Sequence, residues 1–132
     1  MNTEVCCFCS KSYRINNHIS IENISGSYYL DNFPCVIEPF LGLRIRFFEE
    51  DFKEDKIDVK FILENSSNKQ IWKAETEVKK ELNTFGEQFL EFDGSIKISV
   101  EKPGTFILKL IINEELKVAS PLHLVNLKKK NC

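Results

Sequence analysis

Three cysteines crowded into four positions, Cys6-Cys7-x-Cys9, are the side chains of this sequence whose type and spacing come nearest to chemistry. Thiolates bind soft metals, but a structural zinc needs four ligands converging tetrahedrally, usually from paired Cys-x-x-Cys knuckles. No second knuckle follows, and on a strand Cys7 and Cys9 share one face while Cys6 points to the other. Burial as small apolar thiols is the expected role, with no metal and no cofactor. The five cysteines (Cys6, Cys7, Cys9, Cys35 and Cys132) make an odd count. A secreted disulfide framework has an even count at wider spacing, so reduced thiols are expected.

Nucleophilic catalysis needs a Ser or Cys beside a base that a third group orients. The two histidines are poorly placed for it: His18 adjoins a turn, and His123 alternates against the apolar Leu122 and Leu124 of a strand. The five glycines are isolated, so neither a nucleophile elbow nor a phosphate-binding loop is present. The acidic run 49–55 lacks calcium-loop spacing and contains Lys53. It reads as a solvated connection. An enzyme is not expected.

Apolar and aromatic residues offer binding rather than chemistry. The segment 30–42 carries Phe33, Pro34, Val36, Ile37, Phe40 and Leu41, more apolar material than a crossover loop ordinarily exposes. These residues either cap the core or form a docking patch, and Phe33, Pro34, Ile37 and Phe40 are the candidate contacts with a protein partner. Trp72 and the Tyr28-Tyr29 pair support an alternative, a small-ligand or carbohydrate-binding module built on exposed aromatics.

Composition narrows the field. Hydrophobic residues at 42% and charged residues at 29% argue against disorder, and 132 residues suffice for one core. A net charge of −2 gives no electrostatic case for nucleic acid or a membrane surface. Fifteen lysines against three arginines lower the expectation of bidentate phosphate or carboxylate recognition. This usage, rich also in Asn and Ile, matches the AT-rich codons of a low-GC bacterium or a phage. The first residues lack a basic, apolar leader, and no apolar run approaches the ~20 residues that span a bilayer. A cytoplasmic location is expected.

The elements that must position these residues are strands. Between Gly94 and Leu127, Ile96, Ile98 and Val100 alternate with polar residues, and Phe106, Leu108, Leu110 and Ile112 follow the break at Lys102-Pro103-Gly104. A last strand leads through Leu116 and Val118 to Val125 and is expected to be a free edge. Ile57, Val59, Phe61 and Leu63, the turn Asn65-Ser66-Ser67-Asn68, and residues 71–78 predict a hairpin. Further strands are expected near 4–9, 19–24 and 43–48, with a bend beside Gly26 and a crossover loop over 30–42. Residues 78–92, where Val78, Leu82, Phe85 and Phe89 have helical spacing around Gly86, read as a loop with a helical turn.

The Cys-containing first strand 6–9, the Ile-rich second strand ending at Gly26, the Phe33-Pro34 step, the hairpin 57–78 and the Pro103-Gly104-Thr105-Phe106 segment resemble a family of small bacterial proteins of unknown function. That resemblance implies a cytosolic immunoglobulin-like sandwich and brings no catalytic residues. The expectation is therefore an all-β, antiparallel immunoglobulin-like β-sandwich of about 7–9 strands with little helix. It comprises one domain over 1–127 and a basic tail over 128–132, and it acts as a protein-interaction module.

Overall fold

Period-two alternation of large apolar and polar residues favours pleated strands, and strands dominate the chain. The computed structural model describes residues 1–16 and 18–127. Among them run β1 (Asn2–Ile15), β2 (His18–Ile24), β3 (Ser27–Leu30), β4 (Cys35–Ile37), β5 (Phe40–Phe48), β6 (Lys56–Glu64), β7 (Gln70–Lys79), β8 (Glu87–Ser95), β9 (Ile98–Val100), β10 (Gly104–Ile112) and β11 (Glu115–Asn126). A single 3₁₀ turn at Glu49–Asp51 completes the elements, and the protein is all-β. The predicted basic tail at 128–132, with Cys132, lies outside the described residues.

Four strands form a sheet in the order β2-β1-β5-β8, and five form a second in the order β3-β11-β10-β6-β7. β4 and β9 pair with each other apart from both. The inner faces follow directly from the alternation. Leu41, Leu43, Ile45 and Phe47 of β5, Ile57, Val59 and Leu63 of β6, and Leu108 and Leu110 of β10 share one buried cluster with Phe8. Full burial of such a side chain stabilises by about 1.5–3 kcal/mol, so this shared core outweighs any single polar contact.

The predicted hairpin over 57–78 forms as β6 and β7, with Asn65 Oδ1 accepting from Ser67 N and Lys69 N at 2.9 Å each. Four expectations need correction. Among the described residues the strands number eleven, because the crossover segment 30–42 itself contains β4, and of the loop with a helical turn expected over 78–92 only 80–86 is a loop, after which the chain forms β8. In β8, Glu87, Phe89, Glu91 and Asp93 share the register face of outward-pointing Arg44 and Arg46, whereas Leu90 and Phe92 face the core side. The true period there is two, and the helical spacing of the apolar residues is coincidental. Pairing is not wholly antiparallel, since β3 runs parallel to β11. For the same reason β11 lies between β10 and β3 and is no free edge. β1 also extends well past Cys9, and its distal half pairs with β2 as a hairpin.

That hairpin folds back across the outer face of the four-stranded sheet. The buried Ser12 hydroxyl donates to Leu41 O at 3.1 Å and accepts from Gly94 N at 2.8 Å, tying β1 to β5 and β8. Gly42 lies close beneath it: a Cβ there would sit 2.5 Å from Ile21 Cδ1. At Gly26 a Cβ would sit 2.8 Å from the Pro121 carbonyl oxygen, where β3 enters beside β11. Backbone cannot give way as a side-chain tip can. Gly26→Ala is expected to destabilise by about 1–3 kcal/mol, and Gly42→Ala by less. Urea unfolding of both variants checks this, and the reverse order would contradict it.

Candidate functional site

Alternation aims Trp72, Ala74, Thr76 and Val78 of β7 toward the inner side, opposite Leu63, Phe61, Val59 and Ile57 of β6. It does the same for Leu90 and Phe92 of β8, opposite Ile45 and Leu43. β7 is the last strand of its sheet and β8 the last of the other. Among the described residues each pairs along one edge, so two unpaired edges flank one side of the core. A cleft of about 290 Å³ opens in this seam, floored by Leu43, Phe61 and Ile96 and walled by Trp72, Leu90 and Phe92. Phe92 is 37% exposed there.

Polar contacts close the seam at one end. Gln88 Nε2 donates to Lys79 O at 2.7 Å, and its Oε1 accepts from Glu81 N at 2.6 Å, so one side chain bridges the β7–β8 connection. Beyond it Asn83 Oδ1 accepts from Phe85 N and Glu87 N at 2.9 Å each. This turn holds Phe85 84% exposed. On the β7 rim, Glu75 lies 2.8 Å from Lys73 Nζ and 3.6 Å from Lys60 Nζ. The hydrogen bond from Lys73 and its charge hold the Glu75 carboxyl below the usual carboxylate range.

The β8 rim joins an ion-pair network that uses all three arginines. Arg44 Nε lies 2.7 Å from Glu4 and its Nη1 2.8 Å from Glu91. Arg46 reaches Glu87 at 3.1 Å and Glu4 at 3.2 Å, and Arg14 reaches Asp93 at 3.3 Å and Glu91 at 3.4 Å. Phe89 lies under the Arg44 guanidinium, 4.0 Å from ring centre to Cζ. Burial works against the Arg44 charge, but hydrogen bonds to Glu4 and Glu91 hold its pKa above the ordinary value. Every guanidinium already has carboxylate partners, so the positive charge of this face is neutralised within it. Its signal was present in Arg44-x-Arg46 and in Glu87-x-Phe89-x-Glu91-x-Asp93, once 87–93 is read as a strand.

The sequence-derived candidates scatter. Ile37 is buried, Phe33 packs half-buried against the core, Phe40 is half-buried at the start of β5, and Pro34 is exposed beside Val36 at 56%. Alternation through β4 turns Val36 to the side opposite Cys35 and Ile37. The tyrosine pair splits likewise: Tyr28 packs against the core and donates to Cys9 O at 3.0 Å, while Tyr29 is exposed. Trp72 lines the cleft between β7 and β8. His18 and His123 are exposed on separate strands, with His123 Nδ1 3.1 Å from Thr105 Oγ1. In the acidic run, Asp51 accepts from Phe48 N at 2.7 Å, and Glu49 and Asp55 both face Lys80.

Cys6 faces inward against the core, and Cys9 is fully buried. Among the described residues no group of three or more His, Cys, Asp and Glu side chains could hold a metal ion. Burial, reinforced by neighbouring Cys7, pushes the Cys6 thiol up to about 11. Comparison of the sequence with models of known protein families and with curated proteins finds no match.

Because the folded Cys6 pKa lies above its unfolded value, its contribution to stability is intact below pH ~9. It is lost as the pH rises toward about 11. The native chain is therefore expected to lose about 2 kcal/mol across that window. Cys6→Ala is expected to be less stable at neutral pH but to lose less on alkalinisation. Urea titrations at stepped pH check this, and parallel pH profiles for the two proteins would contradict it.

Proposed function

We propose that this protein is a non-enzymatic binding module that takes an extended apolar segment of a protein partner in the seam between β7 and β8. The observation that carries this reading is the apolar cleft bordered by two strands that each have one unpaired edge. An added strand supplies backbone donors and acceptors to such an edge while its alternate side chains enter the cleft. The architecture that presents the seam is an immunoglobulin-like sandwich, a reading supported by two sheets meeting in one buried cluster and by the β10–β11 hairpin. A cytoplasmic setting agrees with the cysteines at 6, 7, 9 and 35 being free thiols. The loop at 33–40 is the weaker docking surface, because Ile37 and Phe33 contribute to the core.

A second reading, capture of a small apolar ligand, is favoured by Trp72 and Phe92 facing one cleft of about 290 Å³. That volume sits near the lower bound of about 300 Å³ for small-molecule sites. A sugar fits less well, since Glu75 and Glu91 on the rim are already ion-paired.

Peptides selected by phage display on the full chain are expected to alternate apolar and polar residues and to shift the emission of Trp72, the only tryptophan. Phe92→Lys is expected to weaken them about tenfold or more with little change in the unfolding midpoint. Selection without such a pattern, or equal binding to Phe92→Lys, would overturn the strand-accepting reading. An emission shift with small apolar compounds but no peptide would favour the ligand reading instead. Phe33→Asp is expected to lower stability by about 2–4 kcal/mol, as burial of a charge against the core requires, and not to act on binding selectively.

A further inference from the structure

Four strands end the two large sheets: β2, β8, β3 and β7. They are unequal as sites for another strand. β3 is four residues long. The outward residues of β8 include Glu87, Glu91 and Asp93, so self-pairing would bring carboxylates together. β2 belongs to the hairpin that folds over the sheet, where Ile21 crowds Gly42. β7 is ten residues long, contains neither Pro nor Gly, and is regular from Trp72 onward.

The charges on β7 select its own partner. Its outward residues are Lys73, Glu75, Glu77 and Lys79, opposite Ile62, Lys60, Asp58 and Lys56 of β6. An antiparallel copy of β7 that keeps both inner faces on one side can be centred on only a few residues. Centring on Lys73, Glu75 or Glu77 sets a charge against itself. Centring on Thr76 opposes Glu75 to Glu77 and Lys73 to Lys79. Centring on Trp72 or Val78 leaves half or more of the strand unpaired. Centring on Ala74 opposes Lys73 to Glu75 twice, and on the inner side Trp72 to Thr76 twice, with the small Ala74 at the axis.

We propose that a second copy of this chain pairs antiparallel along β7, centred on Ala74, joining two five-stranded sheets into one of ten strands. Unlike charges directly opposite one another set the register, and backbone pairing removes the free edge. The contact draws each seam under the other copy, so burial of Trp72 and Phe92 supplies the apolar driving force. This rests on the seam being a strand-accepting site and names a second copy as the strand that it accepts.

Sedimentation equilibrium of the full chain over the micromolar range tests it. A reversible dimer is expected, with Trp72 emission shifting to shorter wavelength as the dimer forms. Lys73→Glu replaces two unlike pairs by two like pairs and is expected to raise the dimer dissociation constant about tenfold or more. The swap Lys73→Glu/Glu75→Lys restores both reciprocal pairs and is expected to bring the constant back to near that of the native chain. Both positions are exposed, so the variants keep the fold, which circular dichroism verifies. A monomer throughout, a dimer indifferent to Lys73→Glu, or a swap that fails to restore association would each overturn the proposal. A monomer that still binds selected peptides would overturn the second copy alone. A dimer whose seam takes no peptide even as a dissociated monomer would overturn the general strand-accepting reading and leave a self-specific contact.

Discussion

Leu41, Leu43, Ile45 and Phe47 of β5 meet the inner residues of β6 and β10 in one apolar cluster, and the other strands are placed by that contact. Burial at this scale is the largest favourable contribution available to a chain without disulfides among its described cysteines. It obliges every strand in the two large sheets to keep period two across the core. β5 is central because it lies between β1 and β8 and pairs with both along its length. β10 does the same between β6 and β11.

The outer face of the four-stranded sheet is organised by the opposite chemistry. Once β5 turns its apolar residues inward, Arg44 and Arg46 must point outward, and β8 brings Glu87 and Glu91 across from them. Glu4 of β1 closes the group, and Arg14 carries the distal hairpin onto the same carboxylates. Ser12 makes that fold-back specific by answering a carbonyl on β5 and an amide on β8. Exposed ion pairs stabilise little, so the network serves register and hairpin placement more than net stability. Its carboxylates also leave little free positive potential on this face.

The seam follows from connectivity. The chain leaves β7 in one sheet and enters β8 in the other, so both strands end their sheets on the same side of the core. Neither β7 nor β8 has a second pairing strand there among the described residues, whereas on the opposite side β3 joins β11. Gln88 and the Asn83 turn tie the two edges together at one end of the cleft. An apolar wall beside unpaired backbone is the arrangement on which the proposed strand-accepting role rests.

Much of the fold was legible in the residues. Ile57, Val59, Phe61 and Leu63 announce β6, Asn65 marks its turn, and Phe106 to Ile112 announce β10, because side-chain period is a local property of the backbone. The exposed ring of His123 also follows from alternation, whereas alternation separates Cys6 from Cys7 and Cys9 without telling which face turns inward. β8 was misread because Val78, Leu82, Phe85 and Phe89 happened to fall at helical intervals, and only the pairing with β5 shows that Leu90 and Phe92 face inward while Phe89 faces outward. The site was less legible still. Phe33 is as apolar as Trp72 and Phe92, yet Phe33 packs half-buried against the core, whereas Trp72 and Phe92 line an opening. Sequence by itself determined which residues alternate and therefore that the protein is built of strands around an apolar core. Tertiary structure alone decided which strands are neighbours, that β11 is covered by β3, and that β7 and β8 are left as edges. Side-chain period is written into consecutive residues, whereas strand pairing is a choice among distant segments with similar patterns, settled only when all of them pack at once.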